Sequence, residues 1–268
     1  MKTAEEIIKN ANIETKPLLS MVVLYTEDEE GHVAECIKDN PPWIETVVVK
    51  TQAVDEGEAR LHEDRTERNG LKVAGLYTHP KDLKVNGKVL KGVYVMDFAD
   101  ARNKAKSLAT GKWILSIDAD ERFASFQWPS LKHHLEELEK KNPKAGALLC
   151  TNTSWYMDVF DANGDCMRTV QKQHKIFRAD IDWGTAIHEQ IIESITKKGY
   201  VAVESGFQII HLGYACDYKE MLKKLYRNLY ALWQHPELMN IPYYRDKMTN
   251  TTNMIKNLEL RNGSNLHE

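Results

Sequence analysis

The chain has 268 residues, 42% of them hydrophobic and 28% charged, with a formal net charge of −3. That length suits one large domain or a domain with an appendage, and the charge balance offers no global basic field for nucleic acid. No apolar run approaches the roughly 20 residues of a membrane span. The charged start, Met-Lys-Thr-Ala-Glu-Glu-Ile-Ile-Lys, is unlike a secretory leader. Cys36, Cys150, Cys166 and Cys216 form no Cys-x-x-Cys pair. This argues against structural zinc and for reduced, mostly buried thiols in a cytoplasmic setting, with peripheral membrane attachment left open.

Residues 3–10 read as a short helix. Leu18 to Tyr25 is apolar enough for a buried strand, and Glu29 to Asp39 carries Val33, Cys36 and Ile37 at helical spacing before Pro41-Pro42 stops it. Ile44 to Val49 is short and β-branched, a second strand. Such β-α-β alternation points to a parallel α/β sheet. Residues 53–70 are rich in charge and are expected to be solvated. Leu71 to Tyr77 and a hairpin turning at Asn86-Gly87 follow, so residues 53–95 read as an insertion. Asp100 is placed to cap a helix over Ala101 to Ala109, ended by Gly111. Pro129 opens another helix with Leu131, Leu135 and Leu138 in one stripe. Ala145 to Thr151 and His174 to Arg178 read as strands, with a turn at Asn163-Gly164 between them. Asp217 and Glu220 form a capping box for a helix bearing Met221, Leu225, Leu229 and Leu232. The tail beyond Asn250 is polar and is expected to fray.

The stretch Lys112 to Phe123 is the most telling. An apolar run ends in Asp118 and Asp120, whose spacing sends both side chains to one side of an extended strand. Ligands of open α/β sheets bind outside such strand tips, and a carboxylate pair there suits a hard divalent cation that also grips phosphates. For an isolated Asp-x-Asp a strand followed by a plain acidic turn is the favoured reading. Three further clusters accompany this one, namely Tyr25 to Glu30, Phe98 to Asn103, and Trp183 to Glu189 followed by His211-Leu-Gly-Tyr214.

Phe98-x-x-Ala-Arg-Asn103, Ala109 to Glu121, Ile187-His-Glu189 and His211-x-Gly-Tyr214 together resemble glycosyltransferase family 2 enzymes of the GT-A fold. The likeness is to the bacterial and phage branch with an Asp-x-Asp-Glu motif, and it covers about residues 18 to 215. It implies an α/β, Rossmann-like, mostly parallel sheet with flanking helices, a catalytic domain over 1–215 and a C-terminal helical extension over 216–268. It implies a nucleotide-sugar donor, a UDP-sugar foremost, and a hydroxyl acceptor. Asp120, with Asp118 nearby and His211 as a third candidate, would hold Mn²⁺ or Mg²⁺ on the donor diphosphate. Arg102 and Asn103 would hold the nucleotide, with Thr26 and Glu27 beside the base or ribose, and Glu189 would be the base. Where relatives carry an Asp-rich turn, this chain has Val49 to Asp55, which leaves Asp55 to share that role.

Each of these residues also has a structural reading: a core histidine at His211, a solvated cation at Arg102, a surface acid at Glu189, packing at Trp155 and Tyr156. Competing functions are a haloacid-dehalogenase-type phosphatase, a sugar-phosphate nucleotidyltransferase and a non-catalytic sugar-nucleotide module. The first departs from the pattern at Arg122, where that family normally has Thr or Val. The second departs at Glu27 to Glu30, whose charge would repel a triphosphate. Modified DNA bases are an alternative acceptor, with Lys223, Lys224 and Arg227 able to touch phosphates, though such a set is more often a solvated helix face.

Overall fold

A computed structural model of the chain describes residues 16–25, 30–53, 61–62, 71–78, 80–85, 88–94, 98–160, 166–184, 190–213, 221–222, 225–226, 228–229, 232 and 236–263. The first strands are β1 (Leu19–Tyr25), β2 (Ile44–Ala53), β3 (Leu61–His62), β4 (Leu71–Thr78), β5 (Pro80–Val85) and β6 (Lys88–Tyr94). They are followed by β7 (Trp113–Asp118), β8 (Glu121–Phe123), β9 (Ala145–Phe160), β10 (Cys166–Arg178) and β11 (Val201–His211). Nine of them form one open sheet in the order β3-β4-β2-β1-β7-β10-β9-β11-β8, and β5 pairs with β6 in a separate hairpin.

β1 is buried from Leu19 to Leu24, as expected of a strand covered on both faces. Alternation along it sends Leu19, Met21 and Val23 to one face, with Trp113, Leu115 and Ile117 of β7. That face is covered by α1 (Glu30–Ile37) and α3 (Trp128–Lys141), which contribute Cys36, Leu131, Leu135 and Leu138. Val22 and Leu24 point the other way, onto α2 (Phe98–Lys106) and α4 (Ile192–Lys197) through Ala101, Ala105 and Ile195. The expected Leu131-Leu135-Leu138 stripe is thus the core face of α3, whose first turn contains the proline.

Several expectations need correction. The sheet is mixed rather than mostly parallel. β1 runs parallel to β2 and β7, β2 to β4, and β9 to β11, while β10 is antiparallel to both β7 and β9. Only five residues separate β9 from β10, too few for the crossover a parallel pair needs, so the two strands pair antiparallel. Leu71–Thr78, within the segment set apart as an insertion, pairs with β2 and belongs to the main sheet. Helix α2 begins at Phe98, so Asp100 lies in its first turn rather than at its cap, and pairs with Lys104 one turn on. The tail does not fray at Asn250, because Pro242–Gly263 forms a helix, α5. Its buried Thr251, Ile255 and Leu258 recur at helical spacing, and the latter two pack on Met221, Leu225, Leu229 and Tyr156. The helix expected over 3–10, the turn at 163–164 and the capping box at 217–220 lie outside the described residues. Among the described residues no helix is long and apolar enough to cross a membrane.

Cys36 and Cys150 are free and buried. Burial pushes their thiols up, to about 12 and about 11 respectively. Reactivity follows the thiolate, so both should resist iodoacetamide at pH ~8 in the native protein and react once urea unfolds it. Peptide mapping by mass spectrometry checks this, and rapid native-state labelling at either position would contradict the burial described.

Candidate functional site

The site grows from the tip of β7. Leu24 of β1 stands opposite Asp118, and the Ala119 N–H donates to the Leu24 carbonyl at 3.2 Å. The chain turns through Ala119 and Asp120 into β8, which pairs with the end of β11 so that Glu121 faces His211 in the ladder. The Leu212 N–H closes the turn on the Asp120 carbonyl at 2.8 Å.

This pairing brings together two residues that the sequence places far apart. His211 Nε2 lies 3.4 Å from Asp120 Oδ2. Ser154 of β9 meets the other ring nitrogen, Nδ1, at 3.0 Å. The ring is therefore held with Nε2 toward the acid. Burial pulls the His211 pKa down, but the hydrogen bond and charge of Asp120, followed by Glu121 and Asp118, outweigh it and raise it. Gly213 completes a cradle. A Cβ there would fall within 2.5 Å of both Asp120 Oδ2 and His211 Nε2. Only glycine lets the backbone pass this close to the pair, whose carboxylate oxygen and imidazole nitrogen are donors of the kind a divalent cation accepts.

Asp118 faces different partners. Arg102 Nη2 lies 2.8 Å from Asp118 Oδ1, and its Nη1 donates to Ser116 Oγ at 3.3 Å. Lys175 Nζ stands 4.0 Å from Asp118 Oδ2 and 2.7 Å from Glu121 Oε2. Burial alone would raise the Asp118 pKa, but Arg102 and then Lys175 overcome it and hold the carboxyl down at about 2. Among the described residues no group of three or more His, Cys, Asp or Glu side chains is gathered for a metal. Asp120 and His211 converge as a pair, while Asp118 is turned to its cations.

Helix α2 is pinned beside this centre. Asn103 donates from Nδ2 to the Trp183 carbonyl at 2.9 Å and accepts from the Trp183 N–H through Oδ1 at 2.8 Å. The Trp183 ring lies under the Arg102 guanidinium, 5.4 Å away, and packs edge-on against Phe177. Lys106, buried below, donates to the Ile181 carbonyl and pairs with Asp182. Beyond Trp183, Gly184 and Gln190 exchange backbone hydrogen bonds of 2.8 and 3.1 Å.

Of the expected site residues, Arg102, Asn103, Asp118, Asp120 and His211 gather on one rim of the sheet. Thr26, Glu27, Asp55 and Glu189 lie outside the described residues, as do Lys223, Lys224 and Arg227. Lys175, Glu121, Asn152, Ser154 and Gly213 received no role from the sequence. One cue existed for Lys175, a lone charge beside Ile176 and Phe177, which are both fully buried. A cation in such company needs an acid nearby.

No family model matches the chain. A TPR repeat-containing protein of Synechococcus elongatus is 39% identical over 56 residues, which is 21% of this chain. The chain spans 14% of that curated relative's length. Solved structures similar to it include TarS of S. aureus. TarS residues 1–349 in complex with UDP-GlcNAc are 13% identical over 91% of this chain and 72% of that one, with a TM-score of 0.40. A longer TarS structure is 13% identical over 90% of this chain and 43% of that one, again with a TM-score of 0.40.

The clamp on Asp118 has a pH signature. Its folded pKa of about 2 lies below the ordinary 3.8. The ionised group therefore stabilises the fold above the ordinary value, and that contribution fades as pH falls toward the folded value. Asp118 is 36% exposed, so solvent screening keeps the effect modest. Urea titrations of wild type and Asp118→Asn should show a stability gap that is widest at neutral pH. The gap should close between pH 3.8 and about 2. A gap independent of pH would show that the clamp is not electrostatic.

Proposed function

We propose that the chain is a glycosyltransferase of the GT-A fold that moves a sugar from a nucleotide-sugar donor, a UDP-sugar foremost, to an acceptor hydroxyl. The observation that carries this reading is the convergence of Asp120 and His211 across the Gly213 cradle, at the tip of the strand bearing the Asp-x-Asp-Glu motif. Arg102 and Asp118 serve the nucleotide side of the donor, with Thr26, Glu27 and Asp55 toward base and ribose. Asn103 acts through Trp183, keeping the Arg102 guanidinium aimed at the rim. Asp120 and His211 would hold Mn²⁺, which accepts an imidazole nitrogen more readily than Mg²⁺ does. A bound cation there supplies neutralisation of the departing diphosphate.

Glu189 takes the proton from the acceptor hydroxyl. The freed oxygen lone pair forms the new bond to the anomeric carbon, while the bond from that carbon to the diphosphate oxygen breaks and its electron pair leaves with the diphosphate. One displacement inverts the centre and requires no enzyme nucleophile. The phosphatase alternative asks Asp118 to attack phosphorus, a role at odds with a carboxylate gripped by Arg102 and flanked by Lys175.

A thermal-shift panel of UDP-, GDP- and TDP-sugars with and without Mn²⁺ tests the reading, since a ligand bound only by the native state raises the melting point. A cation-dependent rise with one donor is expected in wild type, lost in Asp120→Ala. Glu189→Gln should keep the rise but lose transfer by at least about a hundredfold. A rise that survives Asp120→Ala would remove the cation from Asp120, and full transfer by Glu189→Gln would remove the base.

Gly213→Ala probes the cradle without changing any charge. The methyl forces Asp120 and His211 apart, so Mn²⁺ affinity should drop by about tenfold or more while far-UV circular dichroism stays native. Wild-type affinity in this variant, measured by electron paramagnetic resonance of free Mn²⁺, would place the cation elsewhere.

A further inference from the structure

Three carboxylates, Asp118, Asp120 and Glu121, crowd the end of β7 within four positions of the chain. Their mutual repulsion opposes the very turn that presents Asp120. Glu121 is only 2% exposed. Its Oε2 accepts from the Asp118 backbone N–H at 2.9 Å and from Lys175 Nζ at 2.7 Å. Its Oε1 accepts from Asn152 Nδ2 at 2.7 Å. Both oxygens are thus taken up inside the protein.

Lys175, itself 8% exposed, reaches this place through a break in the β9–β10 register. His174 and Ile176 oppose Leu149 and Leu148, neighbours on β9, which leaves Lys175 as the extra residue of a bulge. Ile176 and Phe177 meanwhile keep their ladder with Leu115 and Ile114 of β7. Bulges of this kind re-aim a side chain beside a site. Here the bulge turns an ammonium onto the acidic tip.

We propose that Lys175 and Glu121 act as one positioning unit, a buried ion pair that locks the turn carrying Asp118 and Asp120 so that Asp120 meets His211. Neither residue touches the donor. The consequence for cation binding rests on the function proposed above, whereas the lock itself does not. A buried carboxylate keeps its charge only beside a counter-charge, so removing either partner releases the other. Gln at position 121 preserves size but sets an amide NH₂ against a donor on one side of the network, since both Glu121 oxygens accept.

The test compares wild type with Glu121→Gln, Lys175→Met, Lys175→Arg and the double variant Glu121→Gln/Lys175→Met. Mn²⁺ affinity is read by electron paramagnetic resonance, and exchange of the Asp118 amide by hydrogen–deuterium mass spectrometry. Each of Glu121→Gln and Lys175→Met should weaken Mn²⁺ by about tenfold or more, and the double variant should lose no more than either single change. The Asp118 amide should exchange faster in both singles, and Lys175→Arg should recover part of the affinity. For Lys175→Met a purely electrostatic role predicts the opposite sign, because deleting a cation beside Asp118 and Glu121 tightens Mn²⁺. Unchanged or tighter binding, or losses that add in the double variant, would overturn the proposal. A destabilised fold alone lowers the melting point without moving affinity per folded molecule. Should Lys175→Met not fold, Glu121→Gln decides through the same two readouts. If wild type binds no Mn²⁺, the cation role fails, and the Asp118 amide still judges the lock: faster exchange in Glu121→Gln supports it, and unchanged protection sinks it.

Discussion

Carboxylates at a strand tip repel one another, and this site exists because cations from two separate elements reach them. Arg102 comes from α2 on one face of the sheet, and Lys175 from a bulge in β10 beside β7. Both side chains are mostly buried, so their charges are poorly screened and act strongly on Asp118 and Glu121. The arrangement divides the acidic motif by task. Asp118 is held by cations, Glu121 is consumed inside the protein, and Asp120 is directed toward His211. A motif that reads as a row of equivalent acids is, in three dimensions, three carboxylates in three environments.

The topology explains why the division is sharp. β7 pairs with β1 as far as Asp118, whereas its ladder with β10 stops at Leu115, where the Lys175 bulge begins. One turn later the chain joins β11 at the far edge of the same sheet. Asp118 and Asp120, with one residue between them, thus face different partners, Arg102 and Lys175 for the first and His211 for the second. Asn152 of β9 links the two, since its amide donates to Glu121 and to Gln173 Oε1. The sheet edge and the sheet centre meet in that amide.

Much of the fold was legible in the chain because local patterns coincide with burial. β1, β7 and α3 are apolar in the period their geometry demands, and each was readable from its residues alone. The tip of β7 was legible for the same reason, an apolar strand ending in polar residues. What escaped was set by distant partners. Helix α5 is polar along most of its length, and its sparse buried positions acquire meaning only against Met221, Leu225 and Leu229. The antiparallel hairpin β9–β10 was read as two short strands because Asn152, Thr153 and Ser154 on β9, and Lys172 and Gln173 on β10, interrupt the apolar runs. Asn103 looked like a nucleotide ligand beside Arg102, yet its amide is occupied at both ends by Trp183, eighty positions along the chain. The Lys175 bulge depends on a register that no local pattern records.

These long-range dependencies bear on how such a centre is maintained. β8 has three residues and, among the described residues, pairs with β11 alone, at the edge of the sheet. Short edge strands open at low cost, so the Asp120–His211 meeting would be fragile if β8 alone held it. It is tied at four further points: Leu212 to the Asp120 carbonyl, Arg122 to the carbonyls of Ala119 and Glu121, Ser154 to His211, and Gln127 to both backbone groups of Gln208. The Arg122 and Leu212 ties close the turn on itself and on β11, and the Ser154 and Gln127 ties join the end of β11 to β9 and to the entry of α3. The hydrophobic layers on the two faces of the sheet thereby stabilise a polar edge that buries little apolar surface itself. Asp120 and His211 can then meet at a strand edge without the local unfolding that such an edge would otherwise permit.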